Sequence, residues 1–117
     1  MKKKYRLKKS HEIASIVKSK KKISNMCYTV YYMKRAENIN KFAISVGKKY
    51  GNAVERNYAK RIVREVLRPI KDFEPHASIV VVVKEPFKSK KFFEQKEELT
   101  KLINQIIERL KVENKYD

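Results

Sequence analysis

The sequence predicts an α/β fold, a small α+β sandwich in which a mixed sheet packs against helices in the order α-β-β-α-β-α. Three observations carry this prediction: amphipathic stretches of helical period, short runs of β-branched and aromatic residues, and very little glycine or proline between them. The 117 residues, of which 42% are hydrophobic, suit a single domain over residues 1–117.

A short helix is predicted over residues 11–19. Ser10 is a favourable N-cap residue, because its hydroxyl can accept a hydrogen bond from a backbone N–H of the first turn. Ile13, Ile16 and Val17 follow at helical spacing. The segment is therefore expected to be a helix with one apolar face.

Two strands follow this helix. Residues 26–34 are rich in aromatic and β-branched side chains, and residues 42–46 form a second such run that ends at Gly47. Alternation along the first strand divides its side chains between two faces. The faces would carry Tyr28, Val30 and Tyr32 on one side and Cys27, Thr29, Tyr31 and Met33 on the other.

The second helix has clear start and end signals. Asn52 can cap it, Glu55 stands three residues further on in the capping-box position, and Pro69 ends it. Downstream, residues 79–83 are apolar on both faces, as expected of a buried central strand. A final helix is predicted from about residue 92 to about residue 111, with an apolar stripe formed by Leu99, Leu102, Ile103, Ile106, Ile107 and Leu110.

The net charge indicates a partner of opposite charge. The chain has 30 Lys and Arg against 13 Asp and Glu, a formal charge of +17. Residues 1–83 hold 21 of the basic residues and only 6 of the acidic ones. Such self-repulsion destabilises a compact chain unless a polyanion neutralises it. Nucleic acid is the first candidate for that polyanion, and a membrane surface is the second.

Basic side chains gather on one side of the second helix. At about 100° per residue, one half of the wheel for residues 53–68 is apolar and would pack on the sheet. The other half is cationic, and only Glu55 and Glu65 lie near its margin, whereas a solvated helix face usually mixes charges. This surface and its upstream extension, here called the basic ridge, comprise Lys48, Lys49, Asn52, Arg56, Asn57, Lys60, Arg61, Arg64 and Arg68.

The chemistry of the basic ridge suits phosphate. Arginine guanidinium groups bind phosphate oxygens bidentately, and the N-terminus of a helix adds backbone N–H donors. Gly51 and Asn52 allow a close backbone approach at that terminus. The ridge is therefore predicted to bind a nucleic-acid backbone, and composition does not choose between DNA and RNA.

A long motif in this region resembles a known family. The run from Val46 to Glu65 is similar to the signature K-x-G-N-A-V-x-R-N-x-x-K-R-x-x-R of the bacterial ribonuclease P protein subunit. The opening Tyr5-Arg6-Leu7-Lys8-Lys9 resembles the start of that family. The order of elements resembles it as well, with the weakest likeness in the last 30 residues.

This resemblance implies a function that periodicity does not. The protein would assist removal of the 5′ leader from precursor tRNA, while a partner catalytic RNA performs the hydrolysis with Mg²⁺ that it largely holds itself. The basic helix would lie in a left-handed crossover, and no metal would bind to the protein alone. The residues that match the motif and would face the catalytic RNA are Arg56, Asn57, Lys60, Arg61 and Arg64.

The resemblance also implies a cleft for the single-stranded leader between the first helix and the sheet. Its aromatic contacts correspond to Ile13, Val17 and Tyr31, of which only Tyr31 is aromatic. Stacking on an aromatic ring is worth roughly 1–3 kcal/mol per base. We therefore expect weaker leader contacts here, with core packing as the alternative role of the two aliphatic residues. Tyr58 replaces a residue that is commonly basic in the family, and its place on the wheel predicts packing.

Catalysis by the protein itself has little support in the sequence. The acidic residues of the basic region are scattered, without the D-x-D or E-x-x-H spacing of a magnesium site. His11 and His76, a conceivable acid/base pair, are 65 positions apart. Cys27 is expected to pack in the core. A single cysteine suits a reducing cytoplasm, where we expect this protein. No apolar run is long enough for a secretory signal or a membrane span, and no membrane is expected among its partners.

Three alternatives remain at this point. A ribosomal or other structured-RNA-binding protein would explain the charge but not the motif. A self-sufficient endoribonuclease would depend on His11 and His76. A DNA-binding helix-turn-helix protein is disfavoured, because two predicted strands separate the first helix from the basic one.

Overall fold

A computed structural model of the chain describes residues 2–116, with side chains through Glu113. Short 3-10 turns connect several of the helices and strands. In chain order, the helices and strands are α1 (Ser10–Lys18), β1 (Lys22–Ser24), β2 (Tyr28–Lys34), β3 (Lys41–Val46), α2 (Ala53–Leu67), β4 (Ala77–Val83) and α3 (Phe92–Tyr116).

The strands form one mixed sheet in the order β1-β2-β4-β3. β2 runs antiparallel to both β1 and β4, whereas β3 runs parallel to β4. Parallel neighbours need a crossover connection, and α2 lies in the one that joins β3 to β4. The predicted α+β sandwich with a mixed sheet is confirmed, and the basic helix lies in its crossover.

Different helices pack against the two faces of the sheet. Tyr28, Val30 and Tyr32 of β2 are all buried in the main core, as the alternation predicts. α2 and α3 contribute to that same core. On the opposite face, Val80 of β4 packs with Ile16 of α1 in a smaller cluster. β4 is therefore buried from both sides, which accounts for its unbroken apolar run.

The start of α2 is fixed by a reciprocal capping box. The backbone N–H of Glu55 donates to Asn52 Oδ1 at 2.9 Å, and the backbone N–H of Asn52 donates to Glu55 Oε1 at 3.1 Å. A Cβ on Gly51 would lie 2.6 Å from that same Oε1, so glycine leaves room for the capping carboxylate. At the other end, Pro69 lies in the 3-10 turn that follows Leu67. The predicted signals of this helix are confirmed.

The prediction missed one strand and misplaced several element ends, among them the starts of β3 at Lys41 and of β4 at Ala77. The first helix begins at Ser10 itself, and Lys9 takes the N-cap position without a side-chain hydrogen bond. β1 was not predicted, because its three residues carry no apolar alternation. Cys27 is buried as expected, but it precedes β2 and belongs to the main core. α3 continues beyond Lys111 because no helix-breaking residue follows the last member of its apolar stripe.

We predict that Asn52→Ala lowers the free energy of unfolding by about 1 kcal/mol, because the first turn of α2 loses its side-chain acceptor. Asn52→Asp is the matched control, since aspartate is an equally good N-cap residue. Urea denaturation followed by circular dichroism measures both variants. Equal stability of the alanine and aspartate variants would contradict the assigned role of the cap.

Candidate nucleic-acid interface

The basic ridge lies on the side of α2 that faces away from the core. Ala59, Ile62, Val63, Val66 and Leu67 bury the inner side of the helix. Outside, Lys48, Lys49, Asn52, Asn57, Arg61 and Arg68 are exposed, whereas Arg56, Lys60 and Arg64 are half-buried. The structure therefore places the predicted ridge residues on one helix side and on the turn that leads into it.

Most cations of the basic ridge have no acidic partner. Among the described side chains of residues 2–113, no ion pair involves Arg56, Lys60 or Arg64, and Arg68 acts on Glu65 only through its charge at longer range. Arg61 is the exception, since its Nε lies 3.7 Å from Glu65 Oε1. These cations therefore keep their charge and hydrogen-bond donors available to an anionic ligand.

The two acidic residues of α2 are paired with cations from elsewhere in the chain. Lys96 Nζ of α3 lies 2.9 Å from Glu65 Oε2, and this hydrogen bond holds the Glu65 pKa below its usual value. Lys88 Nζ lies 3.5 Å from Glu55 Oε2. The pKa of Glu55 is also lowered, first by the backbone N–H of Asn52 and then by the charge of Lys88.

A pocket connects the basic ridge to the face that α1 covers. It has a volume of about 240 Å³, and Lys60 and Arg64 of the ridge lie on its wall. Ile13 of α1 lines the same pocket. Its remaining lining residues are Arg6, Leu7, Phe42, Ala43 and Ile44. The pocket thus brings Ile13 of the predicted cleft beside two ridge residues, whereas Val17 and Tyr31 lie outside its lining.

The cleft residues have different environments. Ile13 and Tyr31 are half-buried and pack against the small cluster that contains Ile16 and Val80. Val17 is 37% exposed at its position on α1. Lys22 Nζ of β1 lies 5.8 Å from the centroid of the Tyr31 ring. Ile13 and Tyr31 therefore both combine packing with some accessible surface, and Val17 is the most exposed of the three.

Two residues of this surface were missed as site residues by the sequence analysis. Arg6 lies in the opening run and lines the pocket beside Lys60 and Arg64. The likeness of the opening run to the family was the one sequence signal for Arg6. The helical wheel of α2 does not show which distant segment packs beside that helix. Lys96 belongs to α3, whose charges are mixed, so its pairing with Glu65 depends on tertiary packing alone.

The packing prediction for Tyr58 holds in part. Its hydroxyl donates to Gln95 Oε1 of α3 at 3.1 Å, but the residue remains 37% exposed. The guanidinium carbon of Arg61 lies 5.3 Å from the centroid of its ring. Tyr58 therefore lies at the border between the core and the basic ridge.

The groups considered for catalysis by the protein are not brought together in one of the described pockets. His11 and His76 line different pockets, which have only Lys34 and Arg35 in common. Burial raises the pKa of the Cys27 thiol, which disfavours the reactive thiolate. Within residues 2–116, no three His, Cys, Asp or Glu residues are arranged to hold a metal ion. No helix in this part of the chain is long and apolar enough to cross a membrane.

The fold and the site together define a small α+β protein with a strongly cationic helix side, the kind of surface that suits a polyanion. The family model described as Ribonuclease P matches residues 1–107. The ribonuclease P protein component of Phytoplasma australiense is 42% identical over 110 residues, which cover 91% of this chain and 94% of that protein. The same component of Mycoplasma mycoides subsp. mycoides is 37% identical, with coverage of 91% and 99%.

Solved structures agree with these relatives. The RNase P protein of Staphylococcus aureus superposes with a TM-score of 0.80 at 30% identity, covering 87% of this chain and 94% of that one. The RNase P protein of Thermotoga maritima gives a TM-score of 0.76 at 30% identity, with coverage of 86% and 96%. This chain belongs to the bacterial ribonuclease P protein family, which confirms the resemblance drawn from the motif.

The lowered pKa of Glu55 predicts a pH-dependent contribution to stability. Because the folded-state pKa lies below the unfolded one, the ionised carboxylate stabilises the fold near neutral pH, and this contribution disappears as the pH falls through the folded-state pKa. Glu55→Gln should therefore be less stable than the natural chain at about pH 7, and the difference should shrink as the pH falls through the folded-state pKa of Glu55. Urea denaturation across this range measures the difference.

Glu85→Gln is the matched control, because it removes an exposed carboxylate that makes no ion pair in the described part of the chain. A stability difference for Glu55→Gln that does not change with pH would contradict this role of the carboxylate.

Proposed function

We propose that this protein is the subunit of ribonuclease P that binds the catalytic RNA through the basic ridge and the 5′ leader of precursor tRNA through the α1 cleft. The observation that carries the proposal is that three cations of the helix that bears the family motif, Arg56, Lys60 and Arg64, make no ion pair in the described part of the chain. A phosphate backbone supplies the missing counter-charges, and its binding releases condensed cations.

The proposal assigns the hydrolysis and the Mg²⁺ to the partner RNA. The acidic residues nearest the ridge are Glu55 and Glu65, and lysine ammonium groups already engage both carboxylates. These residues do not offer the free carboxylate oxygens that Mg²⁺ prefers. The protein's part is then to neutralise phosphates that would otherwise repel each other where precursor and catalytic RNA meet.

The shared pocket gives the leader a route between the two surfaces. A single strand in the cleft would contact Tyr31 and Val17, with its backbone passing the pocket that Lys60 and Arg64 line. Tyr31 offers the one aromatic ring for stacking among the three cleft residues named by the resemblance. Binding of the leader in this cleft therefore relies more on backbone phosphates than on stacked bases.

A general structured-RNA-binding protein is the remaining alternative, and family membership favours ribonuclease P over it. We also infer a cytoplasmic location, where precursor tRNA is processed.

Stimulated cleavage tests the proposed function directly. We expect the protein to increase release of the 5′ leader by a bacterial ribonuclease P RNA at limiting Mg²⁺, because its cations replace part of the metal's screening of phosphates. The assay compares precursor tRNA with RNA alone, with protein alone, and with both. Tight RNA binding without stimulation would support the alternative, and cleavage by protein alone would contradict the assignment of chemistry to the RNA.

Single substitutions test the interface. We predict that Arg64→Ala and Arg56→Ala each weaken binding to the catalytic RNA and each reduce the slope of log affinity against log salt by roughly 1. Their urea stability should change little, because neither guanidinium makes an ion pair in the described chain. Filter binding across a salt series measures both effects.

Arg109→Ala provides the control, since it removes an exposed arginine on α3, away from the ridge. Unchanged affinity and slope in both ridge variants would exclude the ridge as the interface.

A further inference from the structure

An aromatic pocket lies where the start of α2 meets the start of α3, separate from the α1 cleft. Its volume is about 330 Å³, near the lower end of the range for ligand pockets, about 300–1,000 Å³. Its lining contains one polar side chain that is almost fully buried, Gln95. The residues that line it are Tyr50, Val54, Glu55, Tyr58, Phe87, Lys88 and Gln95.

Three aromatic rings form this pocket. Phe87 is fully buried, and its ring centroid lies 6.2 Å from that of Tyr50 and 6.4 Å from that of Tyr58. Tyr58 is the exposed member, and Val54 beside it is 77% exposed. The Tyr58 ring is therefore the accessible aromatic surface of the pocket, and it is tilted by 62° against the buried Phe87 ring.

Hydrogen bonds hold the exposed ring in place. The Tyr58 hydroxyl donates to Gln95 Oε1 at 3.1 Å, and Gln95 Nε2 donates to the Phe87 carbonyl oxygen at 2.9 Å. The Tyr28 hydroxyl donates to the Gln95 carbonyl oxygen at 2.7 Å. The orientation of Tyr58 is thus fixed before any ligand binds, which lowers the entropic cost of stacking.

Cations accompany these rings. Lys88 Nζ lies 4.6 Å from the Tyr50 ring centroid, and the guanidinium of Arg61 lies 5.3 Å from that of Tyr58. Aromatic rings interleaved with basic side chains are typical of surfaces that bind single-stranded nucleic acid, where bases stack and phosphates pair with cations. Arg61 also belongs to the basic ridge, so the pocket continues that surface.

We propose that the aromatic pocket binds one unpaired nucleobase of the partner RNA, stacked on Tyr58, while Arg61 pairs with an adjacent phosphate. This inference rests on the proposed function, because it requires that RNA lies on the ridge. The pocket adds a contact that depends on an unstacked base of the RNA and not on its charge alone.

Two substitutions at Tyr58 test the stacking. Tyr58→Leu keeps an apolar side chain of similar reach but removes the ring, and we expect it to weaken binding of the catalytic RNA by roughly 5-fold or more. Tyr58→Phe keeps the ring and should bind within about 2-fold of the natural chain. Urea denaturation of both variants separates a folding defect from a binding defect.

A tryptophan reporter observes the same contact without relying on loss of binding. The chain contains no tryptophan, so Tyr58→Trp places a single fluorophore in the pocket, and Val112→Trp places one at a remote exposed site on α3. We expect the catalytic RNA and a riboadenylate decamer to quench the fluorescence of Tyr58→Trp. Inorganic polyphosphate, which has charge but no bases, should leave it unchanged, and none of the three should quench Val112→Trp.

The outcomes separate this inference from the proposed function. Equal quenching by polyphosphate and by RNA, or unchanged RNA affinity of a folded Tyr58→Leu, would overturn the nucleobase pocket. If Arg64→Ala still weakens RNA binding in that case, the ridge interface stands without the pocket. If Arg64→Ala and Arg56→Ala also bind normally, the ridge is excluded as the interface and the RNA-binding part of the proposed function fails.

Discussion

The burial of the inner side of α2 is the interaction on which the rest of the molecule depends. Five apolar side chains, from Ala59 to Leu67, pack into the main core. Each large aliphatic side chain buried in this way stabilises the fold by roughly 1.5–3 kcal/mol, which offsets the repulsion among cations on the outer side. Without that anchoring, a helix with so few charge partners on its exposed face would be destabilised by its own charge.

The sheet positions this helix relative to the α1 cleft. β4 is apolar on both faces, so it can carry α1 on one side and α2 with α3 on the other. β3 is the edge strand beside it, and α2 follows β3 directly. The pocket lined by Ile13, Ile44 and Arg64 therefore lies where the cleft reaches the edge of the sheet and meets α2. Because β3 lies between the α1 cleft and α2, it makes the two proposed RNA contacts neighbours.

Local chemistry made α2 predictable, whereas tertiary pairing limited the prediction elsewhere. Asn52 and Glu55 are three residues apart, so the capping box is contained within the sequence window that predicts it. β1 exists because Ile23 pairs with Val30 of β2, and three residues with two polar ends give no such signal. The contact of Tyr58 with Gln95 in α3 joins residues 37 positions apart, which a helical wheel cannot include.

The acidic residues of α2 explain how the ridge remains positive. Glu55 is needed for the capping box, and Glu65 lies one helical turn after Arg61, so both place negative charge beside the ridge. Lys88 and Lys96, from segments that follow β4, pair with these two carboxylates. Arg56, Lys60 and Arg64 make no ion pair with these two carboxylates, so their charges stay available to a ligand. The mixed charge of the C-terminal third, which looks uninformative in the sequence, thus serves the electrostatics of the basic helix.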